Sequence, residues 1–195
     1  MISMDFTDKI EEFKTDLQTH SASEIVQKRI IFGECAVLTA DQYLSLRIKV
    51  ADFFKIHPNE ILVVGSAKLG FSIAPLKRYR LFGDNSDIDI VIVSSRLFDD
   101  IWRNVFELWK QKIMWDREET FKDYLFQGWV RPDKLPNSNL YPLTKDWWEF
   151  FRKLTSSSEF GPYKIAGALY KDWSYLESYQ NSAAQDCKNE LKGQI

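Results

Sequence analysis

Two aspartates, Asp87 and Asp89, open a run of β-branched apolar residues that extends to Val93. Such a run predicts a strand over residues 88–93, and residues two apart on a strand project from the same face, here about 7 Å apart along the chain. Two carboxylates on one face of an apolar strand repel each other and lose hydration, and a cation between them removes both penalties. Because all-oxygen ligand sets suit Mg²⁺ or Mn²⁺, the pair predicts a site for one of these metals.

A second polar feature, Gly65-Ser66, ends a short apolar run at residues 61–64. A β-branched run that stops at glycine is typical of a buried strand. Backbone N–H groups at a strand-to-helix turn form an anion site, and Ser66 could donate a hydrogen bond to a phosphate there. The segment from Ser66 to Gly83 contains no acid and four basic residues, Lys68, Lys77, Arg78 and Arg80. A basic loop facing two metal-binding carboxylates predicts a nucleoside triphosphate site, with Lys68 the cation nearest the turn.

The residues before these strands follow a helical pattern. Apolar residues at three- and four-residue steps predict a helix over residues 5–32 with a break at 21–23. Thr39 and Gln42 form a capping-box pattern that opens a second helix, which extends to about Ile56. Helices therefore precede the first strand.

Further helices are predicted after the second strand. In order, they are a helix capped by Ser94 or Ser95 with an apolar face to Ile113, a short helix over 121–126, a loop over 129–142 and a helix over 145–154. Pro162 is then placed to begin a long helix that extends to about Lys188. Lys164 and Lys171 would share one face of this last helix.

Composition and charge narrow the class of protein. The chain has 195 residues, 45% of them hydrophobic, and a net charge of −2. It is long enough to bury a core without disulfides or metals, and its two cysteines form no ligand or disulfide pattern. Proteins that bind long nucleic acid by its phosphates usually carry a basic excess, so we do not expect long nucleic acid as a partner. With no apolar stretch near the ~20 residues of a membrane span and no signal-peptide pattern, we expect a cytoplasmic protein without a membrane partner.

The segment Val63-Val64-Gly65-Ser66, followed after a loop by Ser86-Asp87-Ile88-Asp89, resembles the DNA-polymerase-β-like nucleotidyltransferase superfamily. The pattern of that family is a Gly-Ser turn followed by Asp-x-Asp on the neighbouring strand. The resemblance covers about residues 41–115. It implies an α/β fold in which a small mixed β-sheet has helices packed behind it and a C-terminal helical portion. The nucleotidyltransferase core, with the N-terminal helices, would occupy residues 1–143 and the helical portion residues 144–195.

The resemblance also implies roles for individual residues. Asp87 and Asp89 would bind two Mg²⁺ or Mn²⁺ ions, and Gly65 and Ser66 would contact the triphosphate. Further nucleotide contacts are expected from Lys68, Arg80, Ser86, Lys164 and Lys171. The family places a third carboxylate on a later strand, and the candidates for it here are Asp133 and, second, Asp123.

Nucleotidyl transfer is the activity that the resemblance implies: a hydroxyl attacks the α-phosphorus of a nucleoside triphosphate, and pyrophosphate leaves. A small acceptor is expected, most simply a second nucleotide, giving a short signalling oligonucleotide. Small bacterial proteins of this kind often belong to phage-defence or toxin–antitoxin pairs, so a co-encoded effector or toxin is an expected partner. Two alternatives stay open: modification of a protein hydroxyl, and a non-catalytic nucleotide-binding regulator that keeps the fold but lacks the third acid.

Overall fold

The computed structural model describes residues 6–193. Asp5, the first residue of the predicted N-terminal helix, lies outside the described residues, as do the outer ends of both predicted domain ranges. Within residues 6–193 the chain forms eight α-helices and four strands, in the order α1 (Thr7–Thr19), α2 (Ala22–Ile25), α3 (Ala40–Phe54), β1 (Ile61–Val64), α4 (Gly65–Leu69), β2 (Ile88–Val93), α5 (Ser95–Lys110), α6 (Glu118–Phe126), β3 (Trp129–Val130), α7 (Pro142–Ser156), β4 (Ile165–Tyr170) and α8 (Trp173–Leu191). A π-helical segment, Val26–Ile31, continues directly from α2.

The four strands form one mixed sheet in the order β1-β2-β4-β3. β1 is antiparallel to β2, with Val64 opposite Asp89. β4 is parallel to β2, with Ala166 opposite Asp89, and the short strand β3 is antiparallel to β4. The mixed α/β class predicted from the sequence is therefore confirmed.

Alternation along the strands creates two apolar faces, each covered by helices. Ile88, Ile90 and Ile92 pack into a core with α3, α5 and α7, whereas Val91 and Val93 pack into a second core with α1, α2 and α8. A sheet that buries both faces must be apolar at nearly every position, which explains the continuous run of β2. Asp89 is the exposed exception in that strand.

Caps and turns fix the helices that surround the sheet. The capping box of Thr39 with Gln42 is confirmed, since each side chain accepts a hydrogen bond from the other residue's backbone N–H. The predicted break at 21–23 is also present, because Ser21 forms a capping box with Glu24 and starts α2 after α1 has ended. Both caps satisfy N–H groups that a helix start leaves unpaired.

The prediction of a long helix from Pro162 to Lys188 is wrong for residues 162–172. Residues Ile165–Tyr170 are strand β4, and α8 begins only at Trp173, with Asp172 as its N-cap. Ile165 and Leu169 are four apart, which suits a helix, but with Gly167 they also alternate as a strand requires. Pairing with β2 decides between the two periods, and it places a strand from the predicted C-terminal portion inside the sheet.

Two smaller differences affect the rest of the chain. The predicted loop over 129–142 contains β3 and a short 3₁₀ turn at Pro132–Lys134.

Among residues 6–193, none of the helices combines the length and the apolar character that crossing a bilayer requires.

Gly167 allows α7 to pack closely on the sheet. A Cβ added at Gly167 would lie 2.2 Å from Cζ of Phe151, whose side chain is buried in the core. We expect Gly167→Ala to lower the free energy of unfolding by about 1–3 kcal/mol, because overpacking forces the ring or the strand to move. Urea unfolding followed by circular dichroism measures the change.

The matched control is Gly83→Ala, since no heavy atom lies within 4 Å of a Cβ added at Gly83. This variant should stay within about 0.5 kcal/mol of the original protein. Equal losses in the two variants would show that steric contact with Phe151 is not the cause.

Candidate functional site

A cleft of about 570 Å³ opens on the α1/α8 side of the sheet, over the end of β1 and the start of β2. Its walls bring together the predicted turn and aspartates with several cations, among them Gly65, Ser66, Asp87, Asp89, Arg131 and Lys164. The volume lies within the range of pockets that bind small molecules. These residues are far apart in the sequence, but the sheet brings them together because β1, β2 and β4 are adjacent strands.

The β1–β2 register brings Gly65 directly to Asp89. Val64, the last residue of β1, is opposite Asp89, so the turn that follows lies beside the carboxylate. Gly65 has φ +65°, a left-handed conformation that glycine adopts without penalty. A Cβ at this position would also lie 3.2 Å from Oδ2 of Asp89. Both the backbone conformation and the short approach therefore favour glycine here.

The electrostatics of Asp89 are set by the cleft. Its side chain is accessible through the cleft mouth, but burial among the surrounding walls raises its pKa, and the negative charge of Asp87 raises it further, to about 6. Lys164 and Lys77 offset part of this rise. The two aspartates therefore act on each other as the sequence predicts, and the site favours any cation that binds between them.

Lys164 already supplies one positive charge to the pair. Its Nζ lies 3.2 Å from Oδ2 of Asp87. The start of β4 holds it there, because the backbone N–H of Ile88 donates to the Lys164 carbonyl oxygen at 2.8 Å. Lys164 thus belongs to the cleft through a strand rather than through the predicted helix face.

Arg80 and Ser86, both predicted from the sequence, also line the cleft. The Ser86 hydroxyl accepts a hydrogen bond from the Gly83 backbone N–H at 3.1 Å, which fixes the loop before Asp87. Lys77 lies on the same wall. Arg78 instead forms an ion pair with Glu190 of α8, so it ties the basic loop to that helix.

Two predicted cations lie elsewhere. Lys171 is at the opposite end of β4 from Lys164, where its Nζ lies 3.4 Å from Oδ1 of Asp99 and above the ring of Phe98. The prediction that Lys164 and Lys171 share a helix face is wrong, because the six residues of β4 separate them. Lys68 is buried and donates to the Gly33 carbonyl oxygen. Residues two apart on a helix point about 200° from each other, so Lys68 faces away from the side of α4 that bears Ser66.

Within residues 6–193, no third carboxylate joins Asp87 and Asp89 in a group close enough to hold a metal ion. Among the described residues, no three His, Cys, Asp or Glu side chains are grouped so that they could hold a metal ion. The strand beside β2 carries Ala166 opposite Asp89 and Ala168 two residues later, both lining the cleft. The position next to the aspartates is thus occupied by small apolar side chains.

The two predicted candidates for that acid differ in their surroundings. Asp133 lines the cleft wall, where its carboxylate accepts from Arg131 Nε at 3.1 Å and forms an ion pair with Lys134 at 3.0 Å. Partial burial favours its neutral form, but these contacts outweigh it and lower the pKa of Asp133. Asp123 is exposed on α6 and is not part of the cleft wall. Of the two candidates, Asp133 is therefore the one in the cleft wall, where Arg131 and Lys134 hold its carboxylate.

An aromatic end of the cleft was missed from the sequence. Trp129 and Tyr170 stack with ring centroids 5.3 Å apart and planes 10° apart, and Tyr179 lies 5.3 Å from Trp129. The indole Nε1 of Trp129 is buried without a hydrogen-bond partner in the described part of the chain. The sequence signal for this end is a tryptophan, Trp129, that lies close to Arg131 within the segment predicted to be a loop.

Comparisons of the chain with family models, with curated proteins and with solved structures give no match. The resemblance to nucleotidyltransferases therefore depends on the Gly-Ser turn, the two aspartates and their contact across β1 and β2.

The raised pKa of Asp89 predicts a pH-dependent gain in stability on its replacement. In the unfolded chain this carboxyl ionises near pH 3.8, whereas in the folded protein it ionises near pH 6. The folded state therefore loses stability as the pH rises through this interval. In EDTA, Asp89→Asn should raise the melting temperature at pH 7.5, and the difference should shrink towards pH 4.

Asp84→Asn is the matched control, because Asp84 is an exposed aspartate of the preceding loop. Its melting temperature should follow that of the original protein at each pH. A difference for Asp89→Asn that stayed constant from pH 4 to pH 8 would contradict the assigned environment of Asp89.

Proposed function

We propose that the cleft binds a nucleoside triphosphate together with one divalent cation, Mg²⁺ or Mn²⁺. The observation that carries this proposal is the close approach of Gly65, in the Gly65-Ser66 turn, to Asp89 in a cleft that four cations line. A triphosphate needs hydrogen-bond donors and positive charge at its phosphates, and a cation that shields them. Four cations line the cleft: Lys77, Arg80, Arg131 and Lys164.

The residues present suit one cation bound with its nucleotide. Mg²⁺ is commonly held by one or two carboxylates and completes its shell with phosphate oxygens and water. Asp87 and Asp89 supply the two carboxylates, and their mutual repulsion is relieved by the ion. A second ion, as the family resemblance implies, would need a further carboxylate next to them. A metal ion bound at Asp87 would take over the role of the Lys164 ammonium there, and Lys164 could then contact a phosphate oxygen.

The aromatic end of the cleft suggests the orientation of the bound nucleotide. With the phosphates at Ser66 and the cations Lys77, Arg80 and Lys164, the base would lie towards Tyr179, which is 52% exposed. Stacking on an aromatic side chain is worth about 1–3 kcal/mol per base.

Two functions can use this site, and a specific observation supports each. Nucleotidyl transfer to a hydroxyl, most simply of a second nucleotide, is supported by Asp133 on the cleft wall, which would serve as the third acid after leaving Arg131. The cation would supply charge neutralisation and Lewis acidity for this chemistry. Binding without turnover, as in a nucleotide-responsive regulator, is supported by Ala166 at the position beside Asp89. We favour binding without turnover. Ala166 is fixed beside Asp89 by the pairing of β4 in the sheet, whereas Asp133 would first have to leave its ion pairs with Arg131 and Lys134.

Isothermal titration calorimetry with each nucleoside triphosphate tests the site itself. In Mg²⁺ or Mn²⁺ at least one triphosphate should bind, and Asp89→Asn or Ser66→Ala should weaken this binding about tenfold or more, as expected for a lost charge-assisted contact. Asp84→Asn and Ser178→Ala, which change exposed residues outside the cleft wall, are the controls. Failure of every triphosphate to bind would overturn the proposal.

Release of pyrophosphate separates the two functions. Under the regulator hypothesis the bound triphosphate stays intact, with or without added nucleotide acceptors. Under the transfer hypothesis pyrophosphate and a new nucleotide product appear, and Asp133→Asn abolishes them while triphosphate binding changes little. Transfer that persists in Asp133→Asn would exclude Asp133 as the third acid.

A further inference from the structure

A second cavity, of about 280 Å³, lies against the other side of α4 from the cleft. It lies between α1, the π-helical segment and α4, and Lys68 forms part of its wall. Among the described residues, the two cavities have no lining residue in common. Lys68, the predicted triphosphate contact, therefore faces a separate space.

Among the described residues, no carboxylate pairs directly with the buried ammonium of Lys68, and Glu34 acts on it only from a distance. The residue is 2% exposed, and within residues 6–193 its ammonium donates to the carbonyl oxygen of Gly33 and forms no ion pair with a carboxylate. The ring of Tyr43 lies 5.6 Å from Nζ. A buried ammonium held mainly by a neutral carbonyl is costly, and burial accordingly lowers the pKa of Lys68. A bound anion would remove this cost.

The other walls of the cavity add to the positive charge. Lys9, Lys28 and Arg29 line it together with Lys68 and one acid, Glu34. Of these cations, Lys28 and Arg29 also form ion pairs with Asp16 and, for Arg29, with Glu12. This concentration of cations occurs in a chain of net charge −2. Lys28 and Arg29 are positioned by the buried Asp16, at 2.8 Å and 2.6 Å from its oxygens. Their place in the wall is therefore fixed by contacts behind it.

Apolar side chains complete the cavity and limit its occupant. Phe13, Leu69 and Phe71 line it, and both phenylalanines are buried. Apolar walls exclude water and strengthen the attraction between a cation and an anion inside. A small oxyanion, alone or attached to a compact apolar group, fits this combination of walls.

We propose that this second cavity binds a small phosphate-class oxyanion, with Lys68 as the buried cation that pairs with it. The bound group is an inorganic phosphate or the phosphate of a small monoester. The proposal does not depend on nucleotide binding in the cleft, since different residues carry it.

Calorimetric titration of the full chain with inorganic phosphate and with phenyl phosphate tests this site. The buffer contains EDTA, so that anions cannot bind in the cleft through a divalent cation. We expect at least one of the two anions to bind, and Lys68→Met to weaken that binding about tenfold or more. Tighter binding of phenyl phosphate would indicate a monoester, and tighter binding of phosphate the free ion; both results support the site.

Two further variants keep the test decisive. Lys9→Glu changes an exposed residue at the cavity wall, so it should fold even where Lys68→Met does not, and it should weaken binding about two- to fivefold. Lys164→Gln removes a cation of the cleft and should leave the affinity unchanged. The proposal is overturned when neither anion binds, when Lys68→Met and Lys9→Glu both bind as the original protein does, or when Lys164→Gln abolishes binding.

Discussion

The antiparallel pairing of β1 with β2 is the constraint on which the rest of the site depends. It fixes Val64 opposite Asp89, and the chain must then turn in the space directly beside that carboxylate. The left-handed conformation and the short approach to Asp89 both favour a residue without a side chain, and Gly65 meets both requirements. A shift of the register by one residue would turn Asp89 into the α3/α5/α7 core and the isoleucines of β2 into the cleft. The apolar faces of the sheet thus hold the polar site in place.

Charge is distributed unevenly on this scaffold. The chain as a whole is slightly acidic, yet cations gather around both cavities, on either side of α4. In the cleft they face two carboxylates, so the site attracts a cation and an anion together, as a metal–triphosphate complex provides. In the second cavity Lys28 and Arg29 are paired with Asp16 and Glu12, whereas Lys68 forms no ion pair among the described residues and has apolar side chains beside it, which would suit an anion alone. The two cavities therefore differ in the ligand that would neutralise them.

The small residues of β4 affect both faces of the sheet. Gly167 allows Phe151 of α7 to approach the sheet on one side, and Ala166 and Ala168 leave open space on the cleft side. The same alanines mean that β4 offers no metal ligand beside Asp89. A carboxylate at position 166 or 168 would add a metal ligand but would fill the space that the alanines leave for a bound molecule. Here the strand provides space, which is why we favour nucleotide binding over transfer.

The sequence by itself determined the features that depend on local pattern. Short continuous runs of apolar, mostly β-branched residues predicted β1 and β2, and the capping box predicted α3. The types of Gly65, Ser66, Asp87 and Asp89 indicated which ends of the strands would meet. Tertiary structure alone decided β4, because its six residues satisfy the helical and the strand period equally and only pairing with β2 selects one. It also decided the direction of Lys68, because the short helix α4 contains both Ser66 and Lys68 and turns the lysine to the side opposite Ser66. Likewise, whether Asp133 joins the two aspartates depends on its pairing with Arg131 and Lys134, and such contacts between side chains on folded turns leave no periodic signal in a sequence.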